Sequence, residues 1–243
     1  MALCYHRRMP DTTEKQDACP PVRARFARGL RLGLPIFLGY APIGAAFGIV
    51  ARSLGFSPFQ AIVCSGTALA GAGQLIALQL IGSGATALAV VFTTAVVNLR
   101  YVLFGAAMSQ HATGMPVRQQ AFLAFTLTDE TFAVNIDDNR RGHADFWSMA
   151  GVGVIAWSGW VAGTAAGAFA ANAIGDPTRF GVQFAMPAMF TALLVAQAED
   201  RRHVMTALVA AGFAVALMLS LPDPWYLILA PIGAATVATA VTR

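Results

Sequence analysis

The residues with chemistry to offer are few, and they stand in apolar surroundings. Asp129 and Glu130 sit side by side in a run that otherwise holds Phe122, Leu123, Phe125, Leu127, Phe132 and Val134. Asn98 and Arg100 are two apart in a second run, and Gln74 ends the motif Ala70-Gly71-Ala72-Gly73-Gln74 in a third. A carboxylate can hold a cation or exchange a proton, a guanidinium can hold an anion, and a carboxamide brings one acceptor and two donors. At the centre of a lipid-facing helix each acid costs about 3 kcal/mol, whereas six apolar residues return only about 2 to 4 kcal/mol together. The Gln119 to Asn135 stretch therefore needs neighbours that solvate or neutralise its acids, and Thr126 and Thr128 add hydroxyls close by. Ionisable groups at membrane depth are functional candidates by default; the structural alternative is an interhelical ion pair of Arg100 with Asp129 or Glu130.

Two further features mark breaks in helical backbone. Gly71 and Gly73 permit conformations that other residues resist, and a break inside lipid is tolerated only where protein or a water-filled cavity satisfies the freed N–H and C=O groups. Packing of a neighbouring helix against two small residues is the alternative reading. Pro42 removes a donor and crowds the preceding turn, so a kink or break is expected near Tyr40-Ala41-Pro42. If Asn98 and Arg100 lie on one helix they point almost oppositely and meet different neighbours.

These residues need a membrane scaffold to position them. Of 243 residues, 57% are apolar and 12% charged, with mean hydropathy +0.62, a composition that excludes an ordinary soluble domain. At roughly 20 residues per span, the expected fold is an all-α polytopic integral membrane helix bundle of about eight (seven to eight) transmembrane helices, broken near Pro42 and Gly71–Gln74. Residues 1–33 are expected to form a basic cytoplasmic tail, with Val22 to Leu32 suited to a short surface helix, and residues 34–243 the transmembrane domain. The expected spans are Leu34 to Val50, Phe59 to Ile81, Ala85 to Met108, Gln119 to Asn135, Trp147 to Ala171, Phe180 to Gln197, Val204 to Leu221 and Trp225 to Val241. Gly159, Gly163 and Gly167 form two overlapping GxxxG motifs, which favour close helix packing.

Seven of the sixteen Lys and Arg residues precede the first apolar run. With eight spans and a cytoplasmic N-terminus, Arg140, Arg141, Arg201, Arg202 and Arg243 join them inside. Arg52, Arg118 and Arg179 fall outside, and this bias favours both termini in the cytoplasm. The basic pI is therefore topogenic and implies no nucleic-acid partner. The cysteines and histidines show no ligand spacing, so no metal or other cofactor is expected. No GxSxG, HExxH or Walker motif is present, and no enzyme is expected.

Five motifs in order resemble the AzlC family, the large subunits of branched-chain amino-acid exporters, also called YgaZ-type or BrnF-type permeases. They are Pro42 with Phe47-Gly48; Leu54-Gly55-Phe56-Ser57-Pro58; Ala70-Gly71-Ala72-Gly73-Gln74; Asn98-Leu99-Arg100-Tyr101-Val102-Leu103-Phe104-Gly105; and Thr128-Asp129-Glu130-Thr131-Phe132. Members often have His where this chain has Tyr101 and Tyr where it has Phe104. The resemblance implies export of branched-chain or similar hydrophobic amino acids across the inner membrane with a small AzlD-like membrane subunit.

On that reading Pro42, Gly71, Gly73, Gln74, Asn98, Arg100, Thr128, Asp129 and Glu130 are candidate substrate-binding residues. A broken helix at Gly71–Gln74 offers N–H groups and a positive dipole end to the substrate carboxylate. Asp129 or Glu130 faces the ammonium group and is a candidate for proton coupling. Phe47, Phe104 and Phe132 are candidates for the apolar wall. Three other readings attach to the same residues: an exporter of methionine or another hydrophobic metabolite, a passive channel or structural subunit, and an intramembrane enzyme. Adjacent acids on one helix point about 100° apart, which is poor geometry for a shared reacting atom.

Overall fold

Local signals set the helix boundaries. The computed structural model describes residues 20–143, 145–174 and 201–220, with Thr191, Val195 and Gly233. Its helices are α1 (Val22–Ser53), α2 (Pro58–Thr67), α3 (Gly71–Gly82), α4 (Ala87–Asn98), α5 (Arg100–Ser109), α6 (Val117–Phe125), α7 (Asp129–Arg140), α8 (Phe146–Ile174) and α9 (Arg201–Ser220), and no strand occurs among the described residues. Ser57 and Gln60 form a capping box that starts α2, with Pro58 as the first helical residue, where its missing N–H costs nothing. Thr128 and Thr131 cap α7 in the same way. The chain is a polytopic membrane protein: Val22–Ser53, Ala87–Ser109 and Phe146–Ala171 are long and apolar enough to cross a bilayer.

The core is a seam between α1 and α8. Gly29 abuts Gly151, with a Cβ on Gly29 falling 3.0 Å from Gly151 Cα, and further along Gly48 abuts Ala168, with a Cβ on Gly48 falling 2.7 Å from Ala168 N. From the other side, Gly159, Gly163 and Gly167 lie on the backbone of Phe37, Ala41 and Ala45. The GxxxG motifs thus act in packing, as expected. Contacts rise together along both helices, so α1 and α8 run parallel. The break expected near Pro42 does not occur: α1 is one helix through Pro35 and Pro42. Each proline costs a hydrogen bond and crowds one turn, a local loss that contacts with α8 on both sides of Pro42 offset. Helix α1 also begins at Val22, so the stretch Val22 to Leu32 is its first three turns.

Two of the expected spans fold back on themselves. From the end of α1, helix α2 descends until Ser65 meets Thr164 across 2.7 Å and the Gly66 carbonyl accepts from Trp157 Nε1 at 3.0 Å. After Ala68–Ala70, α3 returns, and a Cβ on Gly82 would meet Leu54 Cδ2 at 3.1 Å. The α6–α7 pair enters from the opposite end. Phe122 touches Phe146 at the start of α8, Thr126 packs on Gly153, and Thr128 bonds to Tyr40; α7 then returns until Asp138 meets Arg28. Nine to twelve residues give half-helices about 14 to 18 Å long, enough to reach the middle of a hydrocarbon core about 30 Å thick. Between the hairpins, α4 and α5 make one crossing in which Leu99 keeps helical backbone angles and only the i,i+4 bonding is interrupted, replaced there by i,i+3 bonds.

Charge follows this topology. Arg25 pairs with Asp145, and Arg28 pairs bidentately with Asp138, which lies in the last turn of α7, Asp137 to Arg140. Arg118, expected on the outer side, heads α6 at the end where Phe146 lies, the same end as Arg25 and Arg28. The reason is the hairpins: α2–α3 returns to the side it came from, which reverses the parity used in counting loops at Arg118, and α6–α7 does the same, which restores it at Arg140 and Arg141.

By compactness the chain divides into two units, Met1–Gln183 and Phe184–Arg243. Helices α1 to α8 belong to the first and α9, the seventh expected span, to the second. There the ring of Phe213 packs on Gly233. The sixth and eighth expected spans lie outside the described residues, apart from Thr191, Val195 and Gly233.

Candidate functional site

The two hairpin tips and the Leu99 interruption lie at one depth, beside the middles of α1 and α8. At the first tip the motif is not itself unwound: Gly71 to Gln74 form the first turn of α3, and the interruption is Ala68 to Ala70 just before it. Ala70 N–H donates to Ala68 C=O at 2.8 Å, and Cys64 C=O accepts from Ala68 N–H at 3.0 Å. Gln74 is 6% exposed and its Nε2 donates to Cys64 C=O at 3.0 Å, stapling the two limbs together. Its Oε1 is buried without a partner. No side chain caps α3, and its first ladder bond is Gln74 N–H to Ala70 C=O, so the N–H groups of Gly71, Ala72 and Gly73 form the positive end of a half-helix.

The α4–α5 interruption separates Asn98 from Arg100, and the two do meet different neighbours. The Asn98 carboxamide lies against Gly73, where a Cβ would stand 2.9 Å from both Nδ2 and Oδ1. A Cβ at that point would force the Asn98 carboxamide to move. Asn98 Oδ1 is also buried and unpartnered. Arg100 Nη1 pairs with Asp129 Oδ2 at 2.8 Å, and its guanidinium lies 5.2 Å from the Tyr101 ring centroid.

At the second tip, Thr128 accepts from Thr131 N–H at 3.3 Å, and Thr131 Oγ1 donates to Thr126 C=O at 2.9 Å. This puts Asp129 and Glu130 in the first turn of α7, where carboxylates complement the helix dipole. Glu130 Oε2 accepts from the Tyr40 hydroxyl, which also lies 2.9 Å from Thr128 Oγ1. The Tyr40 ring meets Trp160 edge-on with centroids 5.6 Å apart, and Trp160 in turn touches Gly71, where a Cβ would stand 3.4 Å from its ring.

These contacts close on themselves. The path runs from Gly71 to Trp160, Tyr40 and Glu130, passes through Asp129, Arg100, Leu99 and Asn98, and returns to Gly73. Six helices contribute. The ring gathers Gly71, Gly73, Asn98, Arg100, Asp129 and Glu130, with Thr128 at the Tyr40 hydroxyl and Gln74 stapling the first tip; Pro42 stays apart, exposed on α1. Of the apolar candidates, Phe47 packs against Trp160 with centroids 6.1 Å apart, and Phe104 and Phe132 stack at 4.6 Å. Sequence reasoning missed Tyr40 and Trp160 as members. A tyrosine hydroxyl buried in mid-span, which must find a partner, was the available signal.

The protein-family model described as AzlC protein matches residues 35–174, which takes in both hairpins and every residue of the ring. The chain belongs to the AzlC family. Inner membrane protein YgaZ of Escherichia coli is 31% identical over 210 residues, covering 83% of this chain and 85% of its own length. Branched-chain amino acid transport protein AzlC of Bacillus subtilis is 28% identical over 215 residues, covering 88% and 84%. An uncharacterized membrane protein of Archaeoglobus fulgidus is 32% identical over 202 residues, covering 82% and 86%. No solved structure matches this AzlC-family chain.

Proposed function

We propose that this chain is the large subunit of a secondary transporter that exports branched-chain or similar hydrophobic amino acids across the inner, cytoplasmic membrane, with a small AzlD-like membrane subunit. The observation that carries the reading is the closed ring at mid-depth. It presents the uncapped positive end of α3 and the carboxylates of the α7 first turn within one constellation, and an amino acid carries the complementary pair of charges. Substrate and ion sites of transporters are typically built this way, from discontinuous helices at the membrane midplane. The α3 N–H groups receive the carboxylate, an acid of α7 receives the ammonium, and Phe47, Phe104 and Phe132 supply apolar surface. The name of the Bacillus subtilis relative supports a branched-chain substrate; another small hydrophobic metabolite is the second reading. The basic residues at the α1 end favour a cytoplasmic N-terminus.

Counterflow in proteoliposomes containing the full chain and its small partner tests this. Radiolabelled leucine or valine is expected to accumulate against an unlabelled internal pool, with saturation. Equilibration that neither saturates nor shows counterflow would point to a channel and defeat the proposal. Gln74→Ala opens the staple beside the α3 N-terminus and is expected to weaken apparent affinity at least tenfold; unchanged affinity would remove α3 from the site.

A further inference from the structure

Resting on the transporter reading, we propose that Glu130 is the single exchange point of the site: a proton and the substrate's ammonium group displace one another there, while Asp129 is a fixed counter-ion. The two acids are adjacent in sequence but differ in circumstance. Asp129 is neutralised by Arg100 at 2.8 Å. Glu130 forms no ion pair among the described residues, and its partner is the neutral Tyr40 hydroxyl. The ring therefore holds one positive and two negative formal charges, and the uncompensated one belongs to Glu130. A lone carboxylate at membrane depth is costly, and one added positive charge removes the excess.

The groups that face Glu130 make that charge exchangeable. From α1 comes Tyr40; from α5 come Arg100, already paired, and Tyr101, within electrostatic reach of both acids; on α7 itself lies Asp129. Helix α8 contributes Trp160 through Tyr40, with no ionisable group. Among the described residues no fixed cation competes for Glu130. The hydroxyls behind it also adapt to either state. When Glu130 is ionised, Tyr40 donates to its carboxylate and Thr128 Oγ1, 2.9 Å away, can donate to Tyr40. When Glu130 carries a proton it donates to Tyr40, which then donates to Thr128 Oγ1. Each side chain is satisfied in both states, so neither proton nor ammonium is locked in. Substrate binding is then a balanced exchange: the zwitterion enters, its ammonium replaces the carboxyl proton, and that proton leaves to water.

Such competition coupled to a membrane crossing drives export with a proton returning inward. Tyr40 acts as a positioning residue.

The test is proton release on binding. The full chain, purified with its small partner in weak buffer with a pH indicator, is titrated with leucine. Wild type is expected to release up to one proton per leucine bound, and below the exchange midpoint its affinity falls about tenfold per pH unit, as mass action requires of a one-proton competition. Glu130→Gln is expected to release none and to bind leucine with a pH-independent, weaker affinity. Arg100→Gln/Asp129→Asn, which removes the fixed pair together, is expected to weaken leucine binding but still to release a proton with each leucine that binds; binding without release in it would move the exchange off Glu130. Tyr40→Phe keeps it but moves the pH profile, which a purely structural role would not do. Should Glu130→Gln fail to fold, Glu130→Asp serves: it must retain release. Wild type that binds leucine without releasing a proton, or release that survives in Glu130→Gln, overturns the exchange while leaving the transporter reading intact; wild type that binds no amino acid overturns both.

Discussion

At the scale of single residues, the ring separates side chains that hold the site together from those left open. Arg100 and Asp129 satisfy each other, and removing one partner leaves the other charge uncompensated, which is more damaging than losing both. Arg100→Gln and Asp129→Asn are each expected to lower the detergent melting temperature by several degrees, and the double variant by clearly less than the sum; fluorescence-detected size-exclusion after heating reads this. Gly73→Ala drives a methyl into the Asn98 carboxamide at 2.9 Å, whereas Gly71→Ala meets the Trp160 ring at an ordinary 3.4 Å. The first is expected to cost at least tenfold in leucine affinity and the second less than threefold. The sequence exposed the members that are chemically odd in an apolar run. It could not expose the pairing of Arg100 with Asp129 rather than Glu130, because the choice depends on where α5 meets α7.

At the scale of elements, the boundary of α7 is legible in the sequence. Thr128 followed three residues later by a second hydroxyl, with two acids between them, is a helix start. A start in the middle of an apolar stretch means that the stretch is two half-helices. The direction of the second half was not legible, since a hairpin and a broken span share one hydropathy profile. Thr128→Val removes both the α7 cap and the contact with Tyr40, and is expected to cost about 1 to 2 kcal/mol, visible as a lowered unfolding midpoint. The glycine seam, by contrast, could be read directly, because spacing of four on one helix implies a partner at backbone distance. Gly163→Leu, which collides with Ala41 backbone, is expected to abolish the monodisperse folded peak; Gly105→Ala, with nothing within 4 Å of the new Cβ, is expected to leave it unchanged.

At the scale of the whole molecule, the hairpins alter what the charge count means. Arg118 and Arg141 stand at the same end of the first unit, and Arg52 at the other. In a cysteine-free background, Arg118→Cys and Arg141→Cys are expected to react with a membrane-impermeant maleimide only after cells are permeabilised, and Arg52→Cys in intact cells; reaction of all three from one side would break the topology. Loop counting went wrong at Arg118 because it assigns a crossing to every apolar stretch, and only tertiary contacts tell a return from a passage. The α1–α8 seam also imposes an order on synthesis. Arg25 and Asp145, at its opening, are 120 residues apart, so at about 5 to 20 residues per second the glycine face of α1 waits roughly 6 to 24 s for its partner to emerge. Both hairpins are made during that wait, and the first tip lacks Trp160 and the second its seat on Gly153 until α8 arrives. Nascent chains stopped before residue 146 are therefore expected to be protease-sensitive, and chains extended past residue 174 protected, with α8 acting as the clasp that turns a row of inserted pieces into a folded protein.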